Sequence, residues 1–277
     1  MDLHVTQFEK REHVGTIRLN RPGRGNSWTH RMNAEYRWLM QACESDSDVR
    51  VIVVTGAGRQ FCVGADFKAL DHHSASVKPY DDRHVDDMAK PGYGVDPAFD
   101  DELVWQWGLS KPVIAAINGA CAGIAVALAA FCDLRYGAAG AKITTSTARL
   151  GLPAEYGLSW LLPRIVGLGP AADLLMTGRV ALAEEMHSIR FLNAVFPVES
   201  FEAEVSNLAR GMARRISPAA VRNIKRQLYL DQLQSSPALS VAESRRLTAL
   251  MLKQPDFKEG VSAAQEKRPA SFSPLGQ

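Results

Sequence analysis

Hydrophobic positions along the chain occur in two patterns, continuous apolar runs and helical spacing, and each pattern predicts a different kind of element. Residues 49–55 are continuously apolar and β-branched, which predicts a strand buried on both faces, and residues 113–117 predict a second one. Residues 13–19 predict a strand that forms a hairpin with residues 5–9. In residues 29–43, by contrast, apolar side chains recur at helical spacing and predict an amphipathic helix.

The second half of the chain has fewer strand signals. Short strands are predicted at residues 134–136 and 142–144, and the pattern becomes helical from Gly169. Residues 200–266 are helical almost throughout, with breaks at Pro218, Pro237 and Pro255. Strand-rich units followed only by helices predict an α/β fold, with a core over residues 1–199 and a helical region over residues 200–277.

Two glycine turns carry the most informative chemistry. Residues 58–66 and 118–124 each follow a predicted strand, bend on glycine and lead into a predicted helix, one from about Asp66 and one up to Cys132. Such a turn directs unpaired backbone N–H groups outward, where they can hold an anionic oxygen. Two donors from different loops can bind one carbonyl oxygen as it becomes an oxyanion.

Residues 72–97, rich in Asp, His, Ser and Pro, predict a mobile excursion over the core.

Composition narrows the classes of function. The 277 residues include 32 basic and 30 acidic side chains, a net charge of +2, which predicts no nucleic-acid partner. None of the four cysteines forms a Cys-x-x-Cys pair, so buried reduced thiols and a cytoplasmic location are expected. The N-terminus shows no secretory signal. Residues 115–131, the longest apolar stretch, are rich in Gly and Ala and predict a buried strand, turn and helix rather than a membrane span.

The order of several motifs resembles the crotonase (enoyl-CoA hydratase/isomerase) superfamily. The matching stretches are residues 19–22, 51–56, 61–66, 111–119, 132–135, 151–157, 162–167, 259–261 and 266–268. The resemblance implies a spiral of β-β-α turns with C-terminal helices that pack between subunits, in a homotrimer or a hexamer built as a dimer of trimers. It implies acyl-CoA thioester substrates of fatty acid metabolism, with CoA entering as part of the substrate, and no metal or redox cofactor. By resemblance, the oxyanion donors are the backbone N–H groups of Ala65 and Ile124.

The acidic residues distinguish among the reactions of this superfamily. Its hydratases generally use two glutamates, and the matching positions here are Ala127 and Thr147. Glu155 matches the catalytic acid of several family isomerases and of the chlorobenzoyl-CoA dehalogenase. A single carboxylate suffices to move a proton from one carbon to another while the oxyanion site stabilises the dienolate. Alternatively, Glu155 caps the following helix or pairs with Arg164.

The resemblance also predicts contacts with the CoA portion of the substrate. These contacts are expected from Arg24, Val63, Gly64, Ala65 and Lys267. Arg268 beside Lys267 is a further candidate for the phosphates. Trp105 and Trp107 either wall the acyl pocket or fill the core.

Three hypotheses follow from these observations. The favoured one is a double-bond isomerase with Glu155 as the single proton carrier. The second is an enoyl-CoA hydratase that combines Glu155 with a recruited group. The third is an acyl-CoA-binding homologue without catalysis, motivated by the lack of acids at Ala127 and Thr147. Asp66 is expected to cap a helix, and Asp133 to form a structural ion pair beside Arg135.

Overall fold

Strands and helices alternate through most of the structure, and only helices follow the last strand. The computed structural model describes residues 1–66, 91 and 97–275. The strands are β1 (Thr6–Arg11), β2 (Val14–Leu19), β3 (Val51–Gly56), β4 (Val113–Ile117), β5 (Cys121–Ala122), β6 (Leu134–Ala138), β7 (Lys142–Thr144), β8 (Ala181–Leu182) and β9 (Ala194–Phe196). The helices are α1 (His30–Ser45), α2 (Ile124–Ala130), α3 (Leu158–Val166), α4 (Leu168–Thr177), α5 (Ala183–Ser188), α6 (Phe201–Arg215), α7 (Pro218–Asp231), α8 (Pro237–Met251) and α9 (Pro255–Glu266). The helix predicted from about Asp66 and most of the 72–97 segment lie outside the described residues.

The main sheet has six strands in the order β1-β2-β3-β4-β6-β9. The β1–β2 hairpin is antiparallel, and every other pair in the sheet is parallel. All residues of β3 and β4 are buried, as their unbroken apolar runs predict. The hairpin turn places Glu12 and His13 at positive φ (50° and 66°), which explains why β2 begins at Val14 instead of His13.

Helices cover both faces of this sheet. Helix α1 begins where the Thr29 hydroxyl accepts a hydrogen bond from the Met32 N–H (3.1 Å), and it buries Met32, Tyr36, Leu39 and Met40 in the larger core. Lys111 Nζ donates to the carbonyl of Asp46 at the C-terminus of α1 (2.6 Å). On the opposite face, α6 packs its buried residues against the outer side chains of β3, β4 and β6.

A second, smaller sheet lies beside the main one. Strand β5 pairs with β7 in parallel, and β7 pairs with β8 in the antiparallel sense. Isolated parallel bridges between Cys62 and Cys121 and between Trp28 and Ala65 extend this layer toward the N-terminal part of the chain. Successive turns of the chain therefore lie in register, and their paired backbone forms a second layer beside the main sheet.

Several element bounds differ from the sequence-based expectation. Helix α2 ends at Ala130 instead of Cys132, because the Asp133 N–H bonds the Val113 carbonyl (2.9 Å) and the chain turns into β6. Helix α3, which follows Glu155, precedes the helical pattern predicted from Gly169, and Pro163 inside it weakens its sequence signal. Strands β8 and β9 are too short to show a pattern. The three prolines interrupt the helical region as predicted, and each stands at the first position of α7, α8 or α9.

The four cysteines are free and buried, as predicted. Burial raises the pKa of Cys43, Cys62 and Cys132 to about 12, so these thiols remain protonated at neutral pH. Residues 115–131 form strand, turn and helix, again as predicted. Within the described ranges, no helix combines the length and the hydrophobicity needed to cross a membrane.

Candidate active site

The two glycine turns lie side by side in parallel register. The Cys62 N–H donates to the Ala120 carbonyl (3.0 Å), and the Ala122 N–H donates to the Cys62 carbonyl (2.9 Å). These bonds pair Cys62 with Cys121. Ala65 and Ile124 each stand three residues farther along their own segment. The structure therefore brings the two predicted oxyanion donors to matching positions of neighbouring segments.

The N–H groups of Ala65 and Ile124 have no hydrogen-bond acceptor among the residues that the structure describes. The Trp28 N–H donates to the Gly64 carbonyl (2.7 Å), and the Trp28 carbonyl accepts from the Asp66 N–H (3.1 Å), which leaves the Ala65 N–H on the opposite side of its segment. Ile124 is the first residue of α2, where the N–H has no intrahelical acceptor. Parallel neighbours lie about 4.8 Å apart, a spacing at which one oxygen can lie about 3 Å from both donors.

Glycine is required before each donor for a different reason. Gly64 has φ 98°, and a Cβ there would lie 3.2 Å from the Ala122 carbonyl oxygen. Gly123 has φ 54° and ψ −124°, a backbone conformation that L-residues rarely adopt. A Cβ on Gly123 would be in ordinary van der Waals contact with the Gly64 Cα at 3.8 Å. Backbone conformation rather than a clash therefore requires glycine at position 123, and the two turns lie in close contact.

Side-chain amides hold the two turns together. The Asn118 amide donates to the carbonyls of Gly56 (3.0 Å) and Gly58 (2.9 Å) and accepts from the Gly56 N–H (3.1 Å). Gln60 Oε1 accepts from the Ala120 N–H (2.9 Å), which joins the first turn to the second. Sequence reasoning missed this role of Asn118 and Gln60. The available signal was an amide inside each glycine turn, a side chain able to satisfy turn backbone.

Glu155 lies in the segment before α3, and its side chain is half-buried. Burial raises the pKa of its carboxyl, which receives no hydrogen bond and forms no ion pair with any described residue. Both structural alternatives are wrong. Helix α3 begins at a Gly157 cap without a side-chain hydrogen bond, and the Arg164 guanidinium donates to the Trp160 carbonyl (2.7 Å) and lies over the Trp160 ring.

The two positions that match the hydratase acids are buried. Ala127 lies within α2, and Thr147 begins a short 3₁₀ turn. Neither side chain can exchange a proton at neutral pH. Of positions 127, 147 and 155, only position 155 therefore carries a side chain that can titrate near neutral pH or below.

The predicted CoA contacts fall into two groups. The Val63 N–H donates to the Gly25 carbonyl (3.0 Å), so the exposed Arg24 lies next to the segment that carries Val63, Gly64 and Ala65. Lys267 is exposed at the end of α9, and no hydrogen bond or ion pair of the described residues joins it to the turns.

Other candidate residues have structural partners. Arg268 pairs with Glu259 (2.6 Å) and Glu266 (2.7 Å). Asp66 pairs with Arg21 (2.9 Å), and the helix it was expected to cap lies outside the described residues.

Asp133 forms an ion pair, as expected, although its partner is Lys225 (2.8 Å) rather than a residue beside it. Arg135 is unavailable because it donates to the carbonyls of Phe191 (2.7 Å) and Cys132 (2.6 Å). Trp105 and Trp107 are both buried core residues, and Trp107 stacks on Tyr229 with ring centroids 4.2 Å apart. Among the described residues, no group of three or more His, Cys, Asp or Glu side chains is arranged to hold a metal ion.

Comparisons with known proteins identify the family of this chain. A family model described as enoyl-CoA hydratase/isomerase matches residues 9–274. The chain belongs to the enoyl-CoA hydratase/isomerase family. It is 34% identical over 268 residues to the probable enoyl-CoA hydratase EchA12 of Mycobacterium tuberculosis, across 95% of this chain and 90% of that relative. It is 32% identical over 287 residues to the 1,2-epoxyphenylacetyl-CoA isomerase of Escherichia coli, across 99% of both.

Solved structures agree on the fold of this family member. A crystal structure of a probable enoyl-CoA hydratase/isomerase from Mycobacterium abscessus superposes with a TM-score of 0.84, covering 98% of this chain and 99% of that one at 28% identity. The predicted crotonase-like α/β fold is confirmed. The relatives include hydratases and an isomerase, so the residues of the site must distinguish the reactions.

Proposed function

We propose that this enoyl-CoA hydratase/isomerase family member shifts a double bond in an acyl-CoA thioester, with Glu155 as the single proton carrier. One observation carries the proposal. The N–H groups of Ala65 and Ile124 have no hydrogen-bond acceptor among the described residues and lie in matching register, while the positions that by resemblance match the hydratase acids hold Ala127 and Thr147.

The Ala65 and Ile124 N–H groups are the proposed oxyanion donors. Removal of a proton from the α-carbon of a thioester moves electron density onto the carbonyl oxygen. Two preorganised N–H donors stabilise that charge without reorganisation, and the N-terminal end of α2 adds a favourable dipole. Arg24 beside this segment, and Lys267 from a neighbouring subunit, are the proposed partners of the CoA phosphates.

Glu155 is the proposed base and acid of the reaction. Its carboxylate removes a proton from C2 of a 3-enoyl-CoA, and the electron pair of that C–H bond enters a dienolate. The carboxyl group then returns the same proton to C4, and the double bond moves to C2–C3. The reaction is redox-neutral and consumes no co-reactant. A pKa raised by burial suits a group that must both accept and donate a proton near neutral pH.

The test is an assay of the purified protein with 3-enoyl-CoA and 2-enoyl-CoA thioesters of several chain lengths. Wild type is expected to form 2-enoyl-CoA from the 3-enoyl isomer, and Glu155→Gln to lose activity by about 100-fold or more. Glu199→Gln, at an exposed carboxylate, serves as the matched control.

Three results would contradict the proposal. Full isomerase activity in Glu155→Gln removes Glu155 as the carrier. Hydration of 2-enoyl-CoA without isomerisation favours the hydratase hypothesis. Calorimetric binding of acyl-CoA without turnover favours the non-catalytic one.

The C-terminal helices support self-association, and we propose a second copy of this chain as their partner in a homotrimer or hexamer. Helix α8 buries none of its residues against the described chain. Leu228 on α7 and Leu239 on α8 are 60% and 57% exposed. Apolar side chains spread over adjacent helices indicate an interface rather than a solvated surface.

A further inference from the structure

Ser146 has a backbone conformation that serine rarely adopts. Its φ is 55° and its ψ is −15°, in the left-handed region, where a residue with a Cβ is disfavoured. Such a conformation persists only when the surrounding structure fixes it, and it is concentrated at functional sites. Ser146 lies between β7 and the 3₁₀ turn that begins at Thr147.

Thr144 fixes both Ser146 and the second glycine turn. The Thr144 carbonyl accepts from the Gly123 N–H (3.0 Å), while its hydroxyl oxygen accepts from the Ser146 N–H (3.1 Å). The same hydroxyl donates to the Gly178 carbonyl (2.9 Å). A Cβ on Gly178 would be in ordinary van der Waals contact with the Ser146 Cα, at 3.5 Å. One residue of β7 therefore sets the position of Ser146 relative to the residue before the Ile124 donor.

The Ser146 hydroxyl lies beside the residues that precede the two proposed donors. A Cβ on Gly123 would be in van der Waals contact with both the Gly64 Cα (3.8 Å) and Ser146 Oγ (3.9 Å). In the part of the chain that the structure describes, Ser146 Oγ has no hydrogen-bond partner, although the residue is half-buried. A half-buried hydroxyl without a partner among the described residues can donate to a ligand bound beside these turns, because its hydrogen rotates about the C–O bond.

We propose that the Ser146 hydroxyl is a third hydrogen-bond donor to the thioester oxygen, alongside the N–H groups of Ala65 and Ile124. The inference rests on the proposed thioester chemistry of this site. The donor strengthens as negative charge develops on the oxygen, because a hydrogen bond to a charged acceptor is stronger than one to a neutral carbonyl. Its effect therefore falls on turnover more than on binding of the unreacted thioester.

The experiment compares Ser146→Ala and Ser146→Gly with wild type, using the 3-enoyl-CoA that wild type converts fastest and its saturated counterpart. Ser146→Gly removes the hydroxyl at a left-handed position where glycine is unstrained, so backbone strain does not account for its loss of activity. Ser47→Ala, at an exposed serine, is the control for serine removal. Isomerisation is followed for kcat, and calorimetry gives the Kd of the saturated thioester.

Both Ser146 variants are expected to lower kcat by about tenfold to 100-fold, with the Kd of the saturated thioester within about twofold of wild type. A kcat within about twofold of wild type in either variant overturns the inference. An equal loss of kcat and of binding also overturns it, since that pattern indicates a structural role. A wild type that forms no isomer contradicts the proposed function itself, which is a separate result.

Discussion

Two glutamates of this chain show how the surroundings of a residue set its chemistry. Burial alone would raise the pKa of Glu35, but hydrogen bonds from Thr6, Arg31, His4 and Val5 lower it to about 2. Glu155 is also withdrawn from solvent, has no such donors among the described residues, and has a raised pKa. The Glu35 carboxylate therefore stays charged at neutral pH and connects α1 to the N-terminal strand by hydrogen bonds. The Glu155 carboxyl is left able to change its charge.

Replacement of Glu155 should therefore stabilise the protein at neutral pH. A carboxyl whose pKa is raised on folding favours the protonated state, so its contribution to the stability of the fold is present at low pH and falls as pH rises through its folded pKa. Glu155→Gln is expected to have a higher Tm than wild type at pH 8, with the difference disappearing below pH 4. Calorimetric melting at both pH values checks this, and a lower Tm at pH 8 would contradict it.

Glu35→Gln should have the opposite effect. With its pKa lowered from 4.5 to about 2, Glu35 contributes stability that is fully present above pH 4.5 and is lost as pH falls toward 2. The substitution is expected to lower the free energy of unfolding by about 3 kcal/mol at pH 7 and by much less near pH 2. Urea unfolding at each pH measures the difference, with Glu9→Gln on exposed β1 as the control. A constant difference across this range would disprove the assignment.

At the scale of elements, the glycine turns show what the sequence could and could not predict. Strand and glycine signals predicted both turns, because unbroken apolar runs and glycines are local features, while the assignment of Ala65 and Ile124 as donors came from the family resemblance. The parallel register that aligns these donors depends on Cys62 and Cys121, 59 positions apart. Ser146 showed no sequence signal, since its N–H bonds the Thr144 hydroxyl, which in turn donates to the distant Gly178 carbonyl. The contact of Lys267 with CoA was predicted from the resemblance. It would join Lys267 to a substrate in a neighbouring subunit, and the structure contains a single chain.

Close packing between the turns predicts a sharp glycine requirement. A Cβ on Gly119 would lie 2.0 Å from the Arg59 carbonyl oxygen, so Gly119→Ala must displace backbone and is expected to cost more than about 3 kcal/mol of stability. Gly211, within α6, has nothing within 4 Å of an added Cβ. Gly211→Ala should instead stabilise the protein by about 1 kcal/mol through helix propensity. Equal effects of the two substitutions in urea unfolding would contradict this account of the turns.

At the scale of the whole molecule, the spiral and the C-terminal helices differ in the features that they contribute. The spiral brings distant turns into one site, while α7, α8 and α9 present apolar side chains outward. The family fold is shared by proteins named as hydratases and as an isomerase, so it does not specify the reaction. In the proposed function, the reaction depends on Glu155 and on the absence of acids at Ala127 and Thr147.

Self-association should depend on the apolar helices. Wild type is expected to sediment as three or six chains, and Leu228→Glu on α7 as a smaller species, because a charge in an apolar interface is costly. Leu208→Glu, at an exposed position of α6, is the control. Analytical ultracentrifugation checks both. A wild type that remains monomeric at all concentrations would rule out the proposed interface.

The central claim is that one carboxylate carries the proton from C2 to C4. Its most direct test uses a 3-enoyl-CoA deuterated at C2, converted by wild type in ordinary water and analysed by NMR after less than one turnover. The account predicts that part of the deuterium appears at C4 of the 2-enoyl-CoA product, and that Glu155→Gln forms no such product. Formation of the isomer by Glu155→Gln at the wild-type rate, with no deuterium at C4, would contradict it.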